Sequence, residues 1–259
     1  MKSIFLILFF LGCASSQVIN EKTEETKVPE LTKSCFISSS ELKTWSGNLH
    51  KQFLVNPDYD VIYDNEKIQP FIVVYELKYS EETHTLKRDS DYSNQFVPDE
   101  RVKKSASDKD YKKSGWDKGH LAPAKDFSFE VSAARSTFFY SNISPQNPYF
   151  NRNGAWKKLE EKVRDISEHS NEPIQIISGP IISQNKRINE VDSAPAIPDY
   201  FFKTIIKKEG GKCTYSSFVF KNDSSSREYC NDRVQNDLIP SIIKSHLKDS
   251  KAKELDICN

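Results

Sequence analysis

Five runs of β-branched and aromatic residues constrain this chain most: Val61-Ile62-Tyr63, Phe71 to Leu77, Ile174 to Ser178, Tyr200 to Ile206 and Tyr215 to Phe220. Each has strand length and is bounded by polar or turn-forming residues, so each reads as a strand packed in a sheet. Thr137 to Tyr140 is a further candidate strand, and Gly179-Pro180 reads as a turn. Only one segment carries a strong helical period, where Trp156, Leu159, Val163 and Ile166 are separated by Lys157, Lys158, Glu161 and Lys162. A C-terminal helix is expected from about Asn231 to Leu247. Strands and helices do not alternate, and the strands suit hairpins better than crossovers, so the expected class is α+β with a mainly antiparallel central sheet flanked by helices.

Residues at the start belong to a different kind of segment. Met1-Lys2-Ser3 and the apolar run Ile4 to Leu11 have the form of a signal peptide of residues 1–16, too short to span a bilayer. Phe10-Leu11-Gly12 before Cys13 is a poor lipid-attachment box. Residues 17–34 are rich in Glu, Lys and Thr and read as a flexible extension, leaving 35–259 as one domain. The resulting expectation is a secreted, extracellular protein with no stable membrane association. Cys35, Cys213, Cys230 and Cys258 then predict two disulfides, with three pairings open, and their spacing does not suit a zinc site.

Net charge is zero, which argues against an indiscriminate nucleic-acid glue, but the distribution is uneven. Arg101, Lys103, Lys104, Lys109, Lys112, Lys113, Lys118 and Lys125 outweigh Asp108, Asp110 and Asp117 in one stretch. The stretch leads into Ser114-Gly115-Trp116-Asp117-Lys118-Gly119-His120-Leu121-Ala122-Pro123-Ala124. Downstream follow Ser141-Asn142-Ile143-Ser144-Pro145-Gln146, Phe150-Asn151-Arg152, Trp156 and Glu160. An imidazole is a suitable base for drawing a proton from water aimed at phosphorus, and a single amide oxygen can suffice to hold a magnesium ion that keeps most of its waters.

Together these motifs resemble the DNA/RNA non-specific endonuclease family, whose motif is written Asp-Arg-Gly-His. The resemblance extends more loosely from about Tyr59 through Ser178-Gly179-Pro180 to Pro198-Asp199-Tyr200-Phe201-Phe202-Lys203. It implies the ββα-metal nuclease fold and a metal-dependent endonuclease that cuts DNA and RNA through phosphate contacts, leaving 5′-phosphate ends. The implied cofactor is Mg2+, with Mn2+ or another divalent cation as alternatives. His120 would be the base, Asn151 the metal ligand, Glu160 the residue orienting water on the metal, Asn142 a supporting residue, and Lys118 and Arg88 phosphate contacts. Asn142-Ile143-Ser144 and Asn222-Asp223-Ser224 also have the form of glycosylation sequons, the second the better candidate. Trp116, Phe138, Phe139 and Trp156 read as core rather than as base-stacking platforms.

Two departures from the family pattern bear on the site. Lys118 replaces arginine and loses the bidentate fork, while keeping the charge. One extra residue stands between Asn151 and Trp156, and on an ideal helix, at about 100° per residue, Asn151 would face away from Glu160 whereas Asn153 would share its face. Either the helix starts after Gly154, or a bulge absorbs the insertion, or Asn153 is the ligand. Two other functions fit the same residues: a phosphodiesterase acting on smaller phosphate esters, and a catalytically impaired homologue that only binds nucleic acid.

Overall fold

The computed structural model describes residues 33–234 and 236–258. The expected leader, and the expected extension apart from Lys33 and Ser34, lie outside the described residues. Six helices and nine strands are formed among the residues described: α1 (Ser39–Asn48), β1 (Gln52–Val55), β2 (Tyr59–Asp64), β3 (Gln69–Leu77), α2 (Asp108–Tyr111), β4 (Asp117–His120), α3 (Val131–Ser136), β5 (Ile143–Gln146), α4 (Pro148–Arg152), α5 (Ala155–Glu168), β6 (Ile174–Ile181), β7 (Tyr200–Glu209), β8 (Lys212–Lys221), α6 (Ser241–Asp249) and β9 (Lys253–Glu254). Seven strands make one sheet in the order β1-β2-β3-β6-β7-β8-β9, antiparallel throughout except for the β8–β9 pair. β4 and β5 form a separate antiparallel ribbon.

Both faces of the sheet are covered, which explains why its strands read as continuous apolar runs. Alternate residues go to opposite layers. Val61, Tyr63, Val73, Tyr75, Ile176, Phe201 and Phe218 pack with Trp156, Leu159 and Val163 of α5. Ile62, Ile72, Val74, Ile177, Phe202 and Val219 pack against Leu42 and Trp45 of α1 and Ile243 and Leu247 of α6. α1 is fixed at its start by a capping box between Ser38 and Glu41. Gly210 and Gly211, both at positive φ, close the β7–β8 hairpin. Disulfides join Cys35 to Cys213 and Cys230 to Cys258, resolving the open pairing.

Three sequence expectations fail locally. Gly179-Pro180 lies within β6 and makes no turn; a side chain at 179 would meet the Phe71 carbonyl oxygen at 2.3 Å, so glycine serves close strand approach. Thr137 to Tyr140 is not a strand: it leaves α3, makes a single parallel bridge between Phe139 and Val97, and enters a 3₁₀ turn at Tyr140–Asn142, with Phe138 and Tyr140 buried against Phe96. The last helix begins only at Ser241, because Pro240 blocks a helix running through from Asn231.

Candidate active site

The β4–β5 ribbon carries the centre of the site. Pairing sets Lys118 opposite Pro145, Gly119 opposite Ser144 and His120 opposite Ile143. A Cβ at Gly119 would lie 2.1 Å from Oε1 of the fully buried Gln146, so only glycine permits this packing. Lys118 and His120, two apart on a strand, project to the same side. Both line an open cleft of about 820 Å³ shared with Arg88, Asp117, Asn151 and Glu160. Lys87, Lys125, Arg152 and Lys157 also line it, giving the cleft a cationic wall.

His120 keeps part of its surface in the cleft, but its ring is held edge-on by Phe138 at 4.9 Å and tilted against Phe96 at 5.4 Å. Its Nε2 is buried and makes no hydrogen bond. Burial, reinforced by the charges of Arg88 and Lys118, pushes the imidazole pKa down to about 3. The ring is therefore neutral throughout the ordinary working range, while the same shift makes it a weaker proton acceptor than an unperturbed histidine. Lys118 lies 4.3 Å over the Phe96 ring and pairs with Asp108 at 2.5 Å. Arg88 lies 4.9 Å over the Phe138 ring.

Asn151 and Glu160 sit on different helices, which settles the insertion. α4 ends at Arg152 and α5 starts at Ala155, with Gly154 turning the chain between them. A Cβ at Gly154 would meet the Ser226 carbonyl oxygen at 2.5 Å and the Phe150 Cα at 2.8 Å, so the break depends on glycine. The ideal-helix angle between positions 151 and 160 does not apply, and both residues reach the cleft. Asn153 is exposed at the end of α4 and does not line it.

The Asn151 Nδ2 donates to Asp117 Oδ2 at 2.9 Å, leaving its carbonyl oxygen to present to the cleft. Asp117 also accepts from Arg152 Nε at 2.6 Å and Nη2 at 2.5 Å. Sequence reasoning placed Asp117 and Arg152 in the motifs and gave neither a role. Their signal was adjacency to His120 and Asn151. Burial pushes the Glu160 carboxyl up to about 7, against the pull of Lys203 and Arg164.

Asn142 stands behind the cleft and does not line it. It is fully buried and spends its amide on backbone: Oδ1 accepts from Ala122 N at 2.9 Å, and Nδ2 donates to the carbonyls of Ala122 (2.9 Å) and Thr137 (2.8 Å). It clamps the chain leaving β4. Asn222 is likewise buried, accepting from Asn147 N and donating to the carbonyls of Pro145 and Pro198, so neither sequon offers a free amide for a glycan. Phe138 and Trp156 are core, as expected.

The family model for the DNA/RNA non-specific endonucleases matches residues 39–244, and the chain belongs to that family. The mitochondrial nuclease EXOG of Xenopus laevis is 32% identical over 225 residues, covering 80% of this chain and 61% of that protein. Nuclease 1, mitochondrial, of Schizosaccharomyces pombe is 32% identical over 178 residues, covering 64% and 54%. Human endonuclease G, mitochondrial, is 31% identical over 127 residues, covering 45% and 42%. The chain thus spans about half the length of these relatives. A chain from the crystal structure of the EndoG/EndoGI complex superposes with a TM-score of 0.61 at 24% identity, over 78% of this chain and 84% of that one, which establishes a shared fold.

These names correct one expectation. The relatives are mitochondrial nucleases, which overturns the secreted, extracellular location expected from the leader. No helix among the described residues is long and apolar enough to cross a membrane.

Proposed function

We propose that the chain is a divalent-metal-dependent endonuclease that hydrolyses the phosphodiester bonds of DNA and RNA without strong sequence preference, leaving 5′-phosphate ends. One observation carries this reading: His120, Lys118, Arg88, Asn151 and Glu160, dispersed over 73 positions (88 to 160), meet in one cationic cleft. The wall supplied by Lys87, Lys125, Arg152 and Lys157 extends beyond what one small phosphate ester would need, which favours a polyanion.

His120 takes the proton from the attacking water, being neutral and enclosed by rings that fix its plane. Lys118 and Arg88 place positive charge where the phosphate gains negative charge. Lys118 must leave Asp108 to do so, an exchange that costs little because the pair is partly exposed. The donor set suits a hard cation: Asn151 with its amide oxygen and Asp117 and Glu160 with their carboxylates line the cleft. Magnesium held through Asn151 would supply Lewis-acid compensation for charge at the phosphate. Asp117 fixes the Asn151 amide, and Glu160 holds a proton-accepting carboxylate at the cleft floor.

Purified protein is expected to degrade plasmid DNA and RNA with magnesium, and to lose that activity with chelator or with His120→Ala. Degradation indifferent to both would overturn the mechanism.

A further inference from the structure

α4 leaves one aromatic ring in solvent beside the cleft. Its start is fixed by Asn147, whose side chain accepts from Tyr149 N at 3.0 Å and Phe150 N at 3.3 Å, and whose own N donates to the buried Asn222. Phe150 turns inward, stacked on Phe201 and tilted against Trp156. Tyr149 turns outward and is 39% exposed. Three residues on, Arg152 shares that side of the helix, about 5 Å along its axis. Arg152 and its neighbour Asn151 both line the cleft, so the tyrosine stands at the cleft's edge.

The segment after β8 builds the other half of this feature. Arg227 lies 5.8 Å over the Tyr149 ring and is itself exposed. Its backbone is pinned at three points. Ser226 O accepts from Ala155 N at 3.0 Å, Arg227 N and Glu228 N both donate to Asp232, at 2.8 and 2.7 Å, and Glu228 forms an ion pair with Lys158 of α5. The Cys230–Cys258 disulfide ties the same segment to the end of the chain. Ring and guanidinium are therefore placed before any ligand arrives, on backbone with little freedom left to lose.

A lone exposed tyrosine needs no explanation. This one is mounted on pinned backbone, covered on one face by a guanidinium, and set on the same short helix as two residues of a cationic cleft. An aromatic face beside an arginine is what unpaired bases stack on whatever their sequence, since every base has a π-face. A single strand offers such bases, whereas a duplex keeps them stacked within itself.

We propose that Tyr149 and Arg227 form a base-stacking subsite, which holds a nucleotide next to the scissile phosphate when the substrate is single-stranded. The inference rests on the nuclease reading for the position of that phosphate.

The test is binding of fluorescently labelled oligothymidylate to His120→Ala protein with magnesium, read as anisotropy, against an oligomer of equal length made of abasic sugar phosphates. The unsubstituted protein in chelator serves as a second background. Tyr149→Ala is expected to weaken oligothymidylate binding about fivefold or more, the low end of what one base–aromatic stack contributes, and to leave the abasic oligomer unaffected. Tyr149→Phe keeps the ring and should bind as its parent does. Unchanged oligothymidylate affinity in Tyr149→Ala overturns the proposal, as does an equal loss on both oligomers or a parent that binds the two alike. With His120 intact, Tyr149→Ala should raise KM for single-stranded DNA by a similar factor at constant kcat and leave duplex cleavage as it was. A fall of kcat on both substrates would make the tyrosine a prop for Asn151 and overturn the subsite. The two readings fail separately: a protein that cuts neither plasmid nor RNA ends the nuclease reading, while the anisotropy series still judges the subsite.

Discussion

Asn142→Ala separates a clamp from a catalytic group. The side chain makes three buried hydrogen bonds, from Ala122 N and to the carbonyls of Ala122 and Thr137, at 2.8 to 2.9 Å. Each is worth about 1 kcal/mol net, and truncation strands three buried backbone groups whose desolvation costs about 1 kcal/mol or more apiece. The expected loss is roughly 3 to 5 kcal/mol. For a domain of this size each kcal/mol lowers Tm by about 2 to 4 °C, so the fall should be on the order of 10 °C. Asn142→Asp should be at least as damaging, since a carboxylate cannot donate to the two carbonyls it would face. Urea and thermal unfolding followed by circular dichroism measure the loss, and kinetics well below the transition measure what chemistry remains. Because the clamp holds the segment leaving His120, kcat should fall while KM for nucleic acid stays nearly constant. An Asn142→Ala protein with an unchanged unfolding midpoint would refute the clamp.

Two further outcomes follow from the same geometry. Gly119→Ala forces a methyl into the Gln146 side chain, and overpacking of this kind should cost about 1 to 3 kcal/mol, read as a lower urea midpoint; full stability would mean the ribbon yields freely. The opposed shifts of His120 and Glu160 offset each other's contribution to the pH dependence of stability between pH 4.5 and 6.5. His120, depressed to about 3, contributes stability present above 6.5 and lost as pH falls toward 3, whereas Glu160, raised to about 7, contributes stability present below 4.5 and lost as pH rises through 7. Glu160→Gln should unmask a rise of at most about 2 to 3 kcal/mol from pH 4.5 to 6.5 in chelator, since two pH units at about 1.4 kcal/mol each set the limit. Identical profiles for the two proteins would contradict it.

The long strands were legible because their burial is two-sided. β3 carries an unbroken apolar run from Phe71 to Tyr75, β7 is apolar on either side of Lys203-Thr204, and α5 declares itself through Trp156, Leu159 and Val163. The β4–β5 ribbon was hidden for the opposite reason. Asp117-Lys118-Gly119-His120 and Ile143-Ser144-Pro145-Gln146 have no strand-like alternation, since chemistry, close approach and a clamp dictate their residues. What made the ribbon visible was motif resemblance, which carries no pairing register.

Site residues divide along a similar line. His120, Lys118, Arg88 and Glu160 were candidates by chemical type and meet in the cleft, whereas nothing in the sequence separated Asn151 from Asn153, because what brings Asn151 and not Asn153 to the cleft is tertiary. Gly154 touches Ser226, about seventy positions away, and that contact forces the helix break. Lys203 was unreadable for a deeper reason. A lysine in the middle of Tyr200 to Ile206 looks like the solvent side of a half-exposed strand, yet its flanking residues place it in the layer against α5. A charge in such a place persists only where its surroundings offset the burial, and here the Trp156 ring at 4.3 Å and the negative charges of Glu160 and Asp126 do so. The residue that breaks the strand pattern most strongly is thus held by the packing of β7 against α5, which strand periodicity does not carry.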